Sequence, residues 1–302
     1  MKISVVIPNY NSKHLLEKNL PQVIKVVKGV EIVVVDDGST DGSVEFVKKH
    51  FPQVKLIEKV TNSGFATTVN LGFKAATGDI VVLLNTDVVP QIDFLKPLVK
   101  HFADPQVFAV GCLDLSFEGK SLVKRGRGIG RFERGLLVHS RGEVDQTTTL
   151  WASGGSSAFC KRIWENLGGF DEIYNPFYWE DIDICYRAQK SGYQVRFEPK
   201  SIVEHYHQEG AINKKYSPAQ IRQISYRNQW FFFWKNITDR ALLWSHLIWL
   251  PVHLTKALLK PDRNFWRGFL AALITVPRII EKRSAVRKLF VKSDREIMAA
   301  FI

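Results

Sequence analysis

Cysteine is scarce in this 302-residue chain, and what there is does not pair. Cys112, Cys160 and Cys185 stand far apart and form no C-x-x-C, so they read as reduced core residues in a cytoplasmic setting. No leader is expected at the start either. Lys2-Ile3-Ser4-Val5-Val6-Ile7 enters a strand at once, and no secretory signal peptide is expected ahead of the fold. There is no internal repeat and no low-complexity tract. The first strand is followed by Pro8-Asn9-Tyr10-Asn11 rather than G-x-G-x-x-G, which excludes a dinucleotide-dependent dehydrogenase at that turn. Acidic residues are thin in one region only. Residues 211–302 hold 17 Lys and Arg against 5 Asp and Glu, so the whole net charge of +12 resides there.

What is present is a hydrophobic content of 45%, enough for a sizeable core. Strands and helices alternate from the beginning. Strands are expected at 3–7, 31–35, 54–58 and 80–84, with helices at 13–28, after Asp41, and at 65–76. That βαβαβαβ order predicts a parallel, doubly wound sheet. Ile80-Val81-Val82-Leu83-Leu84 reads as a central strand covered on both faces. Further on, a helix is expected at 92–102 and a strand at 107–112. The Gly- and Arg-rich stretch 114–148 reads as a mobile loop or a small hairpin excursion. Helices are then expected near 161–167 and 181–191, with strands at 194–198 and 202–205.

Polar residues follow the strand ends, where open α/β sheets bind ligands. The first strand ends in Pro8-Asn9-Tyr10-Asn11, the second in Asp36-Asp37-Gly38-Ser39, and the central one in Asn85-Thr86-Asp87. A later helix opens with Trp179-Glu180-Asp181. An Asp at a strand end is often a helix N-cap and no more. The ordered set is more specific.

With Asn62-Ser63-Gly64-Phe65-Ala66, Asn70 and Gly168-Gly169-Phe170-Asp171-Glu172 through Arg187, that set resembles the family 2 glycosyltransferases of the GT-A fold, rhamnosyltransferase-like members in particular. The resemblance covers about residues 1–210. It implies an α/β, Rossmann-like mixed sheet flanked by helices, with 211–302 as a C-terminal helical appendage. It also implies an inverting, metal-dependent transfer of a sugar from a nucleotide-sugar donor. The acceptor would be a lipid-linked or cell-surface glycan hydroxyl, as in cell-wall or polysaccharide assembly.

Roles follow residue by residue. Pro8, Tyr10 and Asp37 would line or bond the nucleotide base. Asn62 and Gly64 would close over the nucleotide, and Asn85 and Thr86 would belong to the same nucleotide-binding set. Asp87 matches the last acid of the family's D-x-D metal motif, whose first acid is Asn85 here. With His205 it would hold Mg²⁺ or Mn²⁺, hard ions suited to a diphosphate site; His207, two residues on, would share the strand face. Asp181 would be the general base, with Glu180 the second choice or an acceptor-orienting group. The bland alternative has both acids capping the helix through Arg187. Phe177, Tyr178 and Trp179 either stack on a sugar or belong to the core. The Asn85-Thr86-Asp87 variant and His205 lean toward dTDP-rhamnose, with UDP-sugars and GDP-mannose open. No Q-x-x-R-W block of processive synthases is present, so a single transfer is expected.

The tail carries five of the eight tryptophans. Residues 222–234, 241–259 and 265–280 read as helices lying in an anionic membrane interface, on the inner face of the cell membrane. A packing or homo-oligomerisation appendage, or a transmembrane hairpin, are the alternatives. A nucleic-acid partner has no support from the core. Two other classes remain open: a sugar-nucleotide nucleotidyltransferase, which should carry a Gly-rich basic loop after the first strand, and a catalytically silent nucleotide-binding scaffold.

Overall fold

The computed structural model describes residues 1–118, 121–206 and 210–301; His207 lies outside the described residues. The first half follows the expected alternation: β1 (Ile3–Asn9), α1 (Lys13–Val26), β2 (Glu31–Asp36), α2 (Ser43–His50), β3 (Lys55–Glu58), α3 (Phe65–Ala75) and β4 (Ile80–Leu84). These four strands are parallel in the order β3-β2-β1-β4. Side chains alternate between the two faces of the sheet. Val5, Ile7, Val82 and Leu84 bury against Leu16, Leu20 and Val23 of α1. Val6, Val33, Val81 and Leu83 bury against Val69 and Phe73 of α3. Each such side chain contributes about 1.5–3 kcal/mol on leaving water, so the central strand is held from both sides.

The second half departs from a wholly parallel sheet. It contains β5 (Val88–Pro90), α4 (Leu95–Lys100), β6 (Val107–Glu118), β7 (Ser121–Arg125), β8 (Gly128–Glu133), β9 (Leu136–Arg141), β10 (Ser156–Cys160), α5 (Lys161–Asn166), α6 (Glu180–Lys190) and β11 (Gln194–His205). The sheet continues from β4 as β10-β6-β11-β5, with β7 hairpinned onto β6. β10 is antiparallel to both β4 and β6, while β11 is parallel to β6. The sheet is therefore mixed, as the GT-A resemblance implies. The stretch after 112 is more ordered than a loop, because β6 runs on to residue 118 and β8 and β9 form a separate hairpin. The two expected strands at 194–205 are one strand with an irregularity between Glu198 and Ile202.

The tail forms α7 (Ala211–Lys215), α8 (Pro218–Asn236), α9 (Arg240–Leu259), α10 (Arg263–Ile274), α11 (Val276–Arg287) and α12 (Asp294–Met298). A Ser217–Gln220 capping box and Pro218 start α8. Trp230, Phe231, Phe232 and Phe233 are all buried, in one cluster with Tyr174, Trp179, Ile182 and Tyr186. The packing alternative thus describes α8, which completes the core beside α6. Gly268 of α10 allows that helix to approach α8, since a Cβ there would lie 2.8 Å from the Gln223 carbonyl oxygen.

Buried charge ties α8 to α6. Lys235 Nζ lies 2.8 Å from Asp171 and 2.7 Å from Asp183. Arg187 Nε donates to Asp183 at 2.8 Å and Asn236 Nδ2 to the same carboxylate at 2.7 Å. Burial alone would raise both carboxyls, but Lys235, with help from Arg187 and, for Asp171, Lys282, outweighs it and holds both below the usual range. A carboxyl depressed by folding adds stability above its unfolded pKa and loses it as pH falls. Urea midpoints are therefore expected to be level near neutrality and to fall once the pH drops below about 4. A midpoint unchanged from neutral pH down to that range and beyond would contradict this network's role.

Candidate active site

Topology brings the expected residues to one edge. β1, β2 and β4 point the same way, and β11 shares their direction through two antiparallel steps and one parallel step. The ends of all four therefore open on one cleft with a volume of about 300 Å³. Pro8, Tyr10, Asp37, Asn62, Gly64, Asn85, Thr86, Asp87, Glu180, Asp181 and His205 all line it.

On one side of the cleft, Asp37 is buried and its carboxylate is largely committed. Oδ1 takes the Lys59 ammonium at 2.6 Å and the Ser63 N–H at 2.9 Å, and Oδ2 takes the Gly64 N–H at 3.1 Å. One acceptor position on Oδ2 is left for a ligand. The carboxylate thus also shapes the 62–64 loop. Gly64 is required there, since its φ is +96° and a Cβ would lie 2.6 Å from the Asn175 side chain. Lys59 carries no motif and was not among the expected residues. The neighbouring Asp36 is structural: it accepts from Asn9 Nδ2 at 2.7 Å and from the Ser39 N–H at 2.8 Å.

At the centre, backbone pairing places Asp87 beside His205. β5 and β11 pair antiparallel with Val88 opposite His205, and the Tyr206 N–H donates to the Asp87 carbonyl at 3.0 Å. Asp87 Oδ1 and His205 Nε2 are 3.4 Å apart. The other ring nitrogen, Nδ1, lies 2.7 Å from Asp114 Oδ2. Burial lowers the His205 pKa, but the bonds to Asp114 and Asp87 prevail and push it up to about 9. Asp114 was missed by sequence reasoning. It falls inside the stretch read as loop, and only the continuation of β6 puts it on the face that His205 uses. Asn85 contributes a buried Oδ1 with no hydrogen-bond partner among the described residues.

On the other side, Glu180 and Asp181 open α6. The turn before them is strained: Tyr178 and Trp179 have φ of 71° and 76°. Asp181 Oδ2 accepts the Gly154 N–H at 3.0 Å and Oδ1 the Ile182 N–H at 2.8 Å. Burial raises its pKa despite those donors. Glu180 is raised well above the ordinary value by burial and then by the Asp181 charge, and its Oε2 has no partner among the described residues. The capping alternative fails, because Arg187 bonds Asp183 and the carbonyls of Leu167 and Gly169 rather than either acid. Of the three aromatics, Phe177 and Tyr178 line the cleft while Trp179 is core.

Among the described residues no three His, Cys, Asp or Glu side chains are grouped to cage a metal. Asp87 and His205 together offer one oxygen-bearing and one nitrogen-bearing ligand. That donor set suits a divalent ion whose remaining ligands are phosphate oxygens or water.

The model of the glycosyl transferase family 2 matches residues 4–168. The chain belongs to that family. It is 30% identical over 214 residues to the pre-mycofactocin glycosyltransferase of Mycobacterium tuberculosis, covering 68% of this chain and 43% of that protein. It is 26% identical over 218 residues to the O-antigen chain rhamnosyltransferase RfbN of Salmonella typhimurium, covering 68% and 67%. The chain thus spans less than half the length of the first of these. Among solved structures, it is similar to GalNAc-T7 bound to UDP, GalNAc and Mn²⁺, with a TM-score of 0.62 at 18% identity over 77% of this chain and 47% of that one. It is also similar to the mannosyltransferase PcManGT of Pyrobaculum calidifontis bound to GDP-Man and Mn²⁺, with a TM-score of 0.57 at 21% identity over 91% and 86%. The GT-A fold of this family 2 chain is thereby established.

Proposed function

We propose that the cleft transfers a single sugar from a nucleotide-sugar to a hydroxyl of a lipid-linked or cell-surface glycan, with inversion. The observation that carries this is the convergence of Asp37, Asp87, His205 and Asp181 on one cleft. The two structural neighbours that hold nucleotide or nucleotide-sugar with Mn²⁺ support a donor site of this kind.

In this reading Tyr10 and Pro8 flank the base, and the free position on Asp37 Oδ2 accepts a hydrogen bond from it. Asp87 and His205 hold Mg²⁺ or Mn²⁺, which when bound neutralises charge on the departing diphosphate. Asp114 fixes the His205 ring so that Nε2 faces the cleft, the usual arrangement behind a ligating histidine. Asp181 accepts the proton of the acceptor hydroxyl as that oxygen bonds to the anomeric carbon and the bond to the diphosphate breaks. Its raised pKa makes it a stronger base than an exposed aspartate. Glu180, whose pKa burial and the Asp181 charge raise, stands beside it and borders the same cleft. Phe177 and Tyr178 border the acceptor side.

The nucleotidyltransferase alternative lacks its feature, since no Gly-rich basic loop follows β1. A silent scaffold is disfavoured by the built carboxylate pair. A thermal-shift panel of UDP, dTDP, GDP and CDP with and without Mn²⁺ tests the proposal. One nucleotide is expected to raise the melting temperature only when the metal is present, and that nucleotide names the donor class. No response to any of the four would sink it. Asp114→Asn is expected to weaken Mn²⁺ binding in the nucleotide complex by about 10–100-fold while nucleotide binding without metal is unchanged; equal Mn²⁺ affinity in both proteins would remove Asp114 from the site.

A further inference from the structure

α9 is apolar on both of its faces. Its inner side is seated on protein along much of its length. His246 stacks on Phe233 with ring centroids 4.1 Å apart, accepts from Trp234 Nε1 at 3.0 Å and donates through Nδ1 to the Gly135 carbonyl at 2.7 Å. About two turns further on, His253 Nε2 donates to the Arg134 carbonyl at 2.8 Å, and Ala257 is buried. On the outer side, Trp244, Leu247, Ile248, Val252, Leu258 and Leu259 form an exposed stripe at helical spacing. A surface helix normally turns polar residues outward; one that is apolar all round is covered by something. Among the described residues α9 is also the one helix long and apolar enough to cross a membrane by length and composition.

Charge says what covers it. Between Arg240 and Lys260 the sequence has no Asp or Glu. Arg240, Lys256, Lys260 and Arg263 are exposed around the two ends of the stripe. A second protein surface would need an apolar strip rimmed by acids. A bilayer with anionic lipids supplies both at once, as acyl chains under a layer of negative head groups.

We propose that α9 lies in the plane of an anionic membrane surface, its outer stripe inserted among the acyl chains and the flanking basic residues on lipid phosphates. It does not span, because spanning would break the His246 and His253 contacts with the β8–β9 turn and with α8. The helix of 20 residues offers about 30 Å of contact. This goes beyond the transferase reading and does not depend on it.

The test is co-sedimentation of the full chain with vesicles of phosphatidylcholine, with and without phosphatidylglycerol. Two variants accompany the wild type: L247D combined with I248D, and K256E combined with K260E. All four positions are exposed, so melting temperatures should stay at the wild-type value. The wild type is expected to pellet with the anionic vesicles, and each variant to lose about tenfold or more of that partition. No binding by the wild type, equal binding to phosphatidylcholine alone, or variants that bind as well as the wild type would each overturn the proposal. So would a wild-type dimer that L247D with I248D converts to a monomer without vesicles, since the stripe would then be a self-contact. The readout is lipid partition, so it can fail while the nucleotide panel succeeds, and the reverse.

Discussion

Asp181→Asn is expected to lower sugar transfer by about 10²–10⁴-fold, with nucleoside diphosphate binding unchanged. The amide cannot take the hydroxyl proton, yet it keeps one of the two acceptors that Gly154 and Ile182 now use. Stability should move little, because loss of one N–H partner is offset by loss of a half-buried negative charge. Glu180→Gln is the informative companion. A carboxyl whose pKa is raised by folding costs stability at pH values above its unfolded pKa, so the neutral amide should raise the melting temperature at neutral pH. Transfer should fall far less than in Asp181→Asn. Steady-state rates and melting curves of both variants check this. The reverse ranking, with Glu180→Gln the inactive one, would move the base to Glu180.

Lys235→Met is expected to destabilise the protein by about 3–5 kcal/mol, a large share of the total stability of a domain. Lys235 is fully buried between Asp171 and Asp183, and its removal leaves two carboxylates facing each other without a cation between them. The same bonds hold α8 against α6, the helix that carries Glu180 and Asp181, so transfer should fall with stability. Urea denaturation supplies the number. Converting Asp171 to Asn in the same chain should restore part of the loss, because one of the two facing carboxylates is then neutral while Asp183 keeps the Arg187 guanidinium. A single Lys235→Met chain as stable as wild type would show that the network carries no structural burden.

The first half of this fold was legible because each element is locally self-consistent. β4 is five aliphatic residues long and α3 follows a glycine turn, so period and punctuation agree. Legibility ended where pairing between distant strands decides. Nothing local distinguishes a β10 that runs antiparallel between β4 and β6; the Gly-Arg stretch 125–131, read as a loop or a small hairpin, does enter a hairpin, β8–β9, but its glycines blur the strand period. The site residues were legible from motifs at strand ends, and all eleven reached the cleft. Asp114 and Lys59 were not, since each acts only by bonding another side chain, His205 and Asp37 respectively, across strands that the sequence does not align. The tail was half legible. Its basic and aromatic composition was plain, but the same Trp-Phe-Phe-Phe-Trp run suits a core and an interface alike, and only its contacts with Tyr174, Trp179 and Tyr186 assign it to the core.

The central claim is that Asp87 and His205 hold a divalent ion against a nucleoside diphosphate. Electron paramagnetic resonance of Mn²⁺, titrated with the nucleotide that stabilises the wild type, tests it most directly. Tightly bound Mn²⁺ is expected only when the diphosphate is present, and it should vanish in Asp87→Ala. Mn²⁺ that binds equally without nucleotide, or that stays bound in Asp87→Ala, would contradict the site.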